Sequence, residues 1–183
     1  MTAPTGWDAA AAIAGCRQSP WGGSAWRAHK RKYLPTDPGG SLNVSGRYNR
    51  GLDQFPADHV WPALYLSLGP DICLGEILRH ITPALLPALN GYRLSELTLE
   101  LGVVLDCRDP ASMGLTLEDF CDETDYRLTQ AIAMAAIALG AEAILVPSAT
   151  CLGNNLILFS TNLLPTSRLT VVTSRDPRLY VPR

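Results

Sequence analysis

Apolar and polar positions follow two different spacings along this chain. Trp7, Ala10, Ala11 and Ala14 repeat at helical intervals and predict a short helix over residues 5–16, ended by Pro20 and Gly22-Gly23. Residues 24–29 read as a first strand, with Trp26 and Ala28 on one face and Arg27 on the other. Residues 35–62 are rich in Pro, Gly, Asp and Asn and predict a long loop region, where compact domains often carry function. Residues 64–67 predict a short strand. Gly69-Pro70-Asp71 then opens a helix, because proline is tolerated at the first helical position and Asp71 complements the dipole. Leu74, Ile77, Leu78 and Ile81 form its buried stripe, and Pro83 and Pro87 end it.

Further on, the period changes to two. In residues 92–105, Leu97, Leu99, Leu101 and Val103 fall on odd numbers while Leu94 does not, which predicts one buried strand face with a slip near Ser95. Residues 115–120 predict a short helix. Residues 125–139 predict a longer one, apolar nearly all round from Ala131 and therefore buried, with Gly140 as its stop. Residues 143–146 and 156–159 read as buried strands and 169–173 as a last strand. Strands and helices mix without strict alternation, which favours α+β over a doubly wound sheet. A length of 183 residues, with no internal repeat, suits a single domain spanning 1–183.

Composition narrows the function classes. The chain is 47% hydrophobic and 17% charged, with a net charge of −2, so no basic field marks a nucleic-acid or anionic-membrane partner. The small basic run Arg27, Lys30, Arg31 and Lys32 is either a solvated face or a contact for an anionic ligand. No run of about 20 apolar residues predicts a membrane span. The alanine-rich start carries Asp8 and lacks a basic opening, which argues against a secretory signal. Five scattered cysteines without C-x-x-C spacing predict neither zinc nor a disulfide framework and fit a reducing, cytoplasmic setting. His29, His59 and His80 lack metal-ligand spacing, so no metal site is expected, and nothing in the pattern positions Cys151 and His80 as nucleophile and base.

The candidate chemistry is a set of single residues, each in its own local frame. Tyr65 alternates with Leu64 and Leu66 and so faces away from them; Glu76 lies roughly 200° round the helix from Leu74. Gly75 beside it costs a helix roughly 1 kcal/mol relative to alanine, a hint of close access for a ligand or a neighbouring strand. Arg47 sits in Ser45-Gly46-Arg47-Tyr48-Asn49, Ser148 follows an apolar strand, and Gly153-Asn154-Asn155 is a hairpin signal. Taken one by one, these residues are equally a half-buried strand tyrosine, a solvated glutamate, a surface arginine and a turn serine.

Taken in order, the motifs resemble the RES domain, a family of small bacterial proteins named for its Arg, Glu and Ser. Gly46-Arg47-Tyr48-Asn49 is similar to the family's G-R-[WY]-N, and Tyr65-x-Ser67 followed by Glu76 keeps its eleven-residue interval. The middle strand ending Val104-Leu105-Asp106, then Gly140 to Ser148 and Asn154-Asn155-Leu156, resemble its later blocks. The resemblance covers about residues 24–160, leaving an N-terminal helix and a C-terminal tail as extensions. Two departures stand out: Ser45 replaces a family glycine, and eighteen residues separate Arg47 from Tyr65, more than the family usually has.

The resemblance implies an ADP-ribosyltransferase-like split β-sheet core that grips NAD as substrate, with no resident cofactor. It implies a toxin that cleaves the nicotinamide–ribose bond, as a glycohydrolase or phosphorylase, and is neutralised by an Xre-type helix-turn-helix antitoxin; a homodimer is compatible with it. The alternatives are a mono-ADP-ribosyltransferase modifying a protein, or a non-catalytic module binding a nucleotide or partner. It assigns Glu76 to the ribose cation, Tyr65 to the nicotinamide ring, and Arg47 and Arg27 to the pyrophosphate. Ser148 and Asn154 or Asn155 are expected at ribose hydroxyls or the carboxamide.

Overall fold

The computed structural model describes residues 6–79, 87, 89–150 and 152–180; His80, Ile81, Pro83 and Cys151 lie outside them. Among the described residues, five helices and six strands follow one another in the order α1 (Ala9–Ala14), β1 (Arg17–Lys30), α2 (Gly40–Asn43), β2 (Leu64–Ser67), α3 (Pro70–Leu78), β3 (Tyr92–Asp106), α4 (Leu117–Cys121), α5 (Arg127–Ala138), β4 (Ala143–Pro147), β5 (Asn154–Leu158) and β6 (Arg168–Arg175). The architecture is mixed α+β, as the pattern predicts.

The strands form one six-stranded sheet in the order β1-β2-β5-β4-β3-β6, and β1 also pairs with β3 along its length. This extra pairing closes a ring through β1, β2, β5, β4 and β3. The closing seam is thin: β1 meets β2 at Trp26↔Ser67. β3–β4 is the parallel pair, and its crossover carries α4 and α5. Curvature separates two cores. Leu64, Leu66, Leu97, Leu99, Leu145, Leu156 and Leu158 pack together on one face. Ile144, Val146 and Ile157 pack on the other, against Ile13 of α1, Phe120 of α4, and Ile132, Ala133 and Ala136 of α5. Each such large side chain contributes roughly 1.5–3 kcal/mol on burial.

Three elements depart from expectation. β1 begins at Arg17, so Pro20 and Gly22-Gly23 lie inside a strand rather than ending a helix. Pro20 sits at the register shift between Ser19 and Trp21, a bulge where a missing N–H breaks no ladder. β6 is longer than expected at both ends because it pairs with β3 from Glu100 back to Leu94. Helix α5 is not apolar-buried all round, since Met134 is exposed. The slip foreseen near Ser95 is the register shift between Glu96 and Leu97 opposite β6.

Glu142 holds the bend of β3. It is wholly inaccessible, and its carboxylate accepts from the N–H groups of Gly102 (2.6 Å) and Val103 (2.8 Å), from Leu164 N–H (3.0 Å) and from the Ser167 hydroxyl. Burial alone would raise its pKa; these four donors outweigh burial and hold it below the ordinary carboxylate value.

Candidate active site

Beside the β1–β2 seam lies a cavity of about 230 Å³, lined among others by Arg47, Tyr65, Glu76, Arg79, Tyr126 and Asn155. Glu76 reaches it from α3, which starts on Pro70 as the sequence predicts. Its Oε1 accepts three hydrogen bonds: from Ser148 Oγ (2.5 Å), Ala149 N (3.0 Å) and Asn155 Nδ2 (3.0 Å). Its Oε2 lies 3.7 Å from Arg79 Nη1. One carboxylate oxygen is thereby fixed by the turn between β4 and β5 and by Asn155, while the other takes none of these bonds and lies beside Arg79. The Asn155 amide is oriented by its bond to the carboxylate, which leaves Asn155 Oδ1 buried with no donor.

Tyr65 comes from the face of β2 opposite Leu64 and Leu66, as alternation requires. Its hydroxyl accepts from Tyr48 N–H (2.8 Å) and donates to Asn49 Oδ1 (2.8 Å). Burial pushes this phenol well above its ordinary pKa, so it stays neutral. With its hydroxyl engaged, the half-buried ring is what Tyr65 offers a ligand. Gly46 is demanded by this contact, because a Cβ there would lie 2.6 Å from Asn49 Oδ1 and 2.8 Å from the Tyr65 hydroxyl. Gly75, by contrast, is not sterically required: its nearest neighbour would be Thr150 Cγ2 at an ordinary 3.4 Å.

Arg47 stands on the turn closed by the Gly46↔Asn49 bridge. Its Nη1 donates to the carbonyls of Phe120 (2.7 Å) and Asp122 (2.5 Å), and its guanidinium lies 5.0 Å from the centre of the Tyr126 ring. The long segment after it does not loosen this turn. Arg50 packs its guanidinium over Phe55 (4.6 Å) and Trp61 (5.3 Å), and Trp61 Nε1 donates back to the Tyr48 carbonyl (2.9 Å). Gln130, buried in the first turn of α5, donates to the carbonyls of Gly46 (3.0 Å) and Asn49 (3.1 Å).

The structure therefore brings Arg47, Tyr65, Glu76, Ser148 and Asn155 together. Arg27 and Asn154 are not among the side chains that line the cavity. Arg27 Nη1 donates to the carbonyls of Leu34 (3.3 Å) and Pro35 (2.7 Å), clamping the loop after β1; burial lowers its pKa to about 10, which leaves it charged. Asn154 faces the opposite side of β5 and lines a separate groove with Cys16, Arg17 and Asp106. Ser148 is fully buried and donates to Glu76, a contact that orients the carboxylate. Arg79, Glu123, Tyr126 and Gln130 are additions that the sequence reading missed. None of the four stands out along the chain; Gln130, for one, falls in the polar first turn of α5, before the apolar run begins at Ala131. Arg79 pairs with Glu123 across the cavity. Cys73 also lines the cavity, but burial pushes its thiol up to about 12, which makes it a poor nucleophile. Among the described residues no cluster suited to a metal ion is found, and no helix is long and apolar enough to cross a membrane.

A curved α+β sheet with an anchored acid, a phenol ring and a guanidinium at its seam defines a recognisable class. The chain belongs to the RES domain family, whose model matches residues 24–180. The match runs past residue 160 because β6 completes the sheet beside β3. Among solved structures the chain is similar to one in the crystal structure of the M. tuberculosis MbcT–MbcA toxin–antitoxin complex, at 25% identity, 94% coverage of each chain and a TM-score of 0.76. No curated protein matches the chain.

Proposed function

We propose that this protein is the toxin of a toxin–antitoxin pair and that it cleaves the nicotinamide–ribose bond of NAD. The observation that carries the reading is the Glu76 carboxylate, anchored through one oxygen by three donors, in the same cavity as the Tyr65 ring and Arg47. Nicotinamide in NAD is already a cationic leaving group and needs no general acid. Its departure leaves an oxocarbenium-like ribose, and a fixed carboxylate stabilises the charge that develops. An electrostatic contact of this kind contributes roughly 3–4 kcal/mol to barrier lowering, about a hundred- to a thousand-fold in rate.

In this reading the Tyr65 ring stacks on the cationic nicotinamide, and Arg47 supplies a planar donor fork to the pyrophosphate. Asn155 Oδ1, which lacks a donor in the free protein, accepts from a ribose hydroxyl or the carboxamide. The cavity of about 230 Å³ suits the nicotinamide–ribose half, with the adenylate half outside it. The similar chain comes from a toxin–antitoxin complex, which supports a partner antitoxin here.

The test is incubation of the purified protein with NAD, beside Glu76→Gln. Nicotinamide release with free ADP-ribose, or its phosphorylated form, is expected for the wild type, with a loss of about a hundred-fold or more in the variant. Labelled protein in place of free ADP-ribose would make the enzyme an ADP-ribosyltransferase. NAD binding without nicotinamide release, or equal turnover by Glu76→Gln, would overturn the mechanism.

A further inference from the structure

We propose that Cys16 and Cys107 form a redox-active dithiol, which peroxide converts to a disulfide that locks the start of β1 to the end of β3. The two strands pair at Arg17↔Asp106, so Cys16 and Cys107 are the next residues facing each other as the ladder ends. Their sulfurs are 3.7 Å apart, in contact and unbonded. Cross-strand neighbours have Cα separations within the range a disulfide spans, so side-chain rotation suffices to close the bond.

The pair is asymmetric, as a nucleophile and its resolving partner should be. Cys107 is wholly buried, while Cys16 is half-exposed and lines an open groove with Arg17, Asp106 and Asn154. The Cys107 thiol donates to Cys16 sulfur, and this bond is the main reason the Cys16 thiol is lowered in pKa despite burial and the nearby Asp106. Cys107 is shifted upward correspondingly. The hydrogen bond from Cys107 and the solvent access therefore coincide on Cys16, the sulfur a peroxide can reach. The chemistry balances with hydrogen peroxide as oxidant. Cys16 thiolate attacks one peroxide oxygen, the O–O bond breaks, and the leaving hydroxide takes a proton to become water. The resulting sulfenic acid is attacked by Cys107 sulfur; the S–S bond forms, the S–O bond breaks, and the Cys107 proton leaves with the hydroxyl as a second water. Two thiols are oxidised by two electrons and one peroxide is reduced. Cys73, buried with its thiol pushed up to about 12, does not compete.

The link would close a loop of roughly 90 residues and remove much of the freedom of the unfolded chain. Treatment of the full chain with hydrogen peroxide, followed by alkylation and peptide mapping, is expected to show the Cys16–Cys107 cross-link within one chain. The melting temperature is expected to rise on the order of 10 °C and to fall back on reduction with dithiothreitol. Cys16→Ser and Cys107→Ala should each abolish both effects, the peroxide-induced shift being read against each variant's own untreated melting curve, which is lower for Cys107→Ala because it empties a core position. Over-oxidised Cys16 beside a free Cys107, or chains joined to one another through Cys16, would overturn the proposal. A complete link with an unchanged melting temperature would remove its locking role.

Discussion

Ser148→Ala tests how much of the acid's work depends on its being held in place. The substitution removes one hydroxyl from a fully buried position and leaves the other two donors to Glu76 Oε1, Ala149 N–H and Asn155 Nδ2, untouched. At 2.5 Å the lost bond is the shortest of the three and is made to a charged acceptor, a class worth about 1.5–3 kcal/mol. If the anchoring is needed at the transition state, that energy appears in the barrier, and kcat for nicotinamide release falls by about ten- to a hundred-fold. KM should move little, because Tyr65 and Arg47, which hold the substrate in the proposed mechanism, are unaffected. The loss should stay smaller than in Glu76→Gln, which removes the charge itself. Ser148 Oγ also accepts from Thr150 N–H (3.1 Å), so a lower melting temperature is expected and rates must be compared well below it. Initial-rate kinetics on NAD with a calorimetric melting control decide the matter. A kcat within twofold of wild type, or a change confined to KM, would refute the positioning argument.

Two further outcomes follow from the same geometry. Gly46→Ala should lower activity more than stability, because its Cβ forces apart the Asn49 and Tyr65 side chains that meet within 3 Å of it; steady-state kinetics beside a melting curve check this, and unchanged kinetics would show that the turn yields freely. Buried His29, bonded through Nε2 to Ser95 Oγ (2.8 Å), has its pKa lowered chiefly by burial. The unfolded chain then binds the proton first. Stability is fully present above about pH 6.5 and falls as pH drops from there toward the folded-state pKa, a slope that denaturant titrations should find in wild type and lose in His29→Gln.

Much of this site was legible along the chain, and what was not has a physical reason. β2 and the start of α3 were readable because alternation and a Pro-Asp opening are local signals. The identity of the useful asparagine was not: side chains alternate across a strand, so the pair Asn154-Asn155 necessarily puts one on each face, and only pairing with Ser67 shows that Asn155 faces Glu76. The contacts of Arg27 were not readable, because the loop carbonyls it binds come from a turn whose path no periodicity describes. β1 was read short because Pro20 and paired glycines usually punctuate, and here they sit at a bulge in a long curved ribbon. Arg79, Glu123 and Tyr126 converge only through sheet closure, a long-range event with no sequence period.

The narrow join between β1 and β2 gives the molecule a built-in point of compliance. Every other neighbouring pair within the ring shares several residues, whereas this one rests on Trp26 and Ser67, with Cys73 and Leu74 of α3 packed among Trp26 and Ala28 across it. Strain imposed on the ring is therefore expected to open it there first, and because Tyr65 stands on β2 while Glu76 is tied to β5 and the turn before it, both stay on one side of the join and keep their relative places.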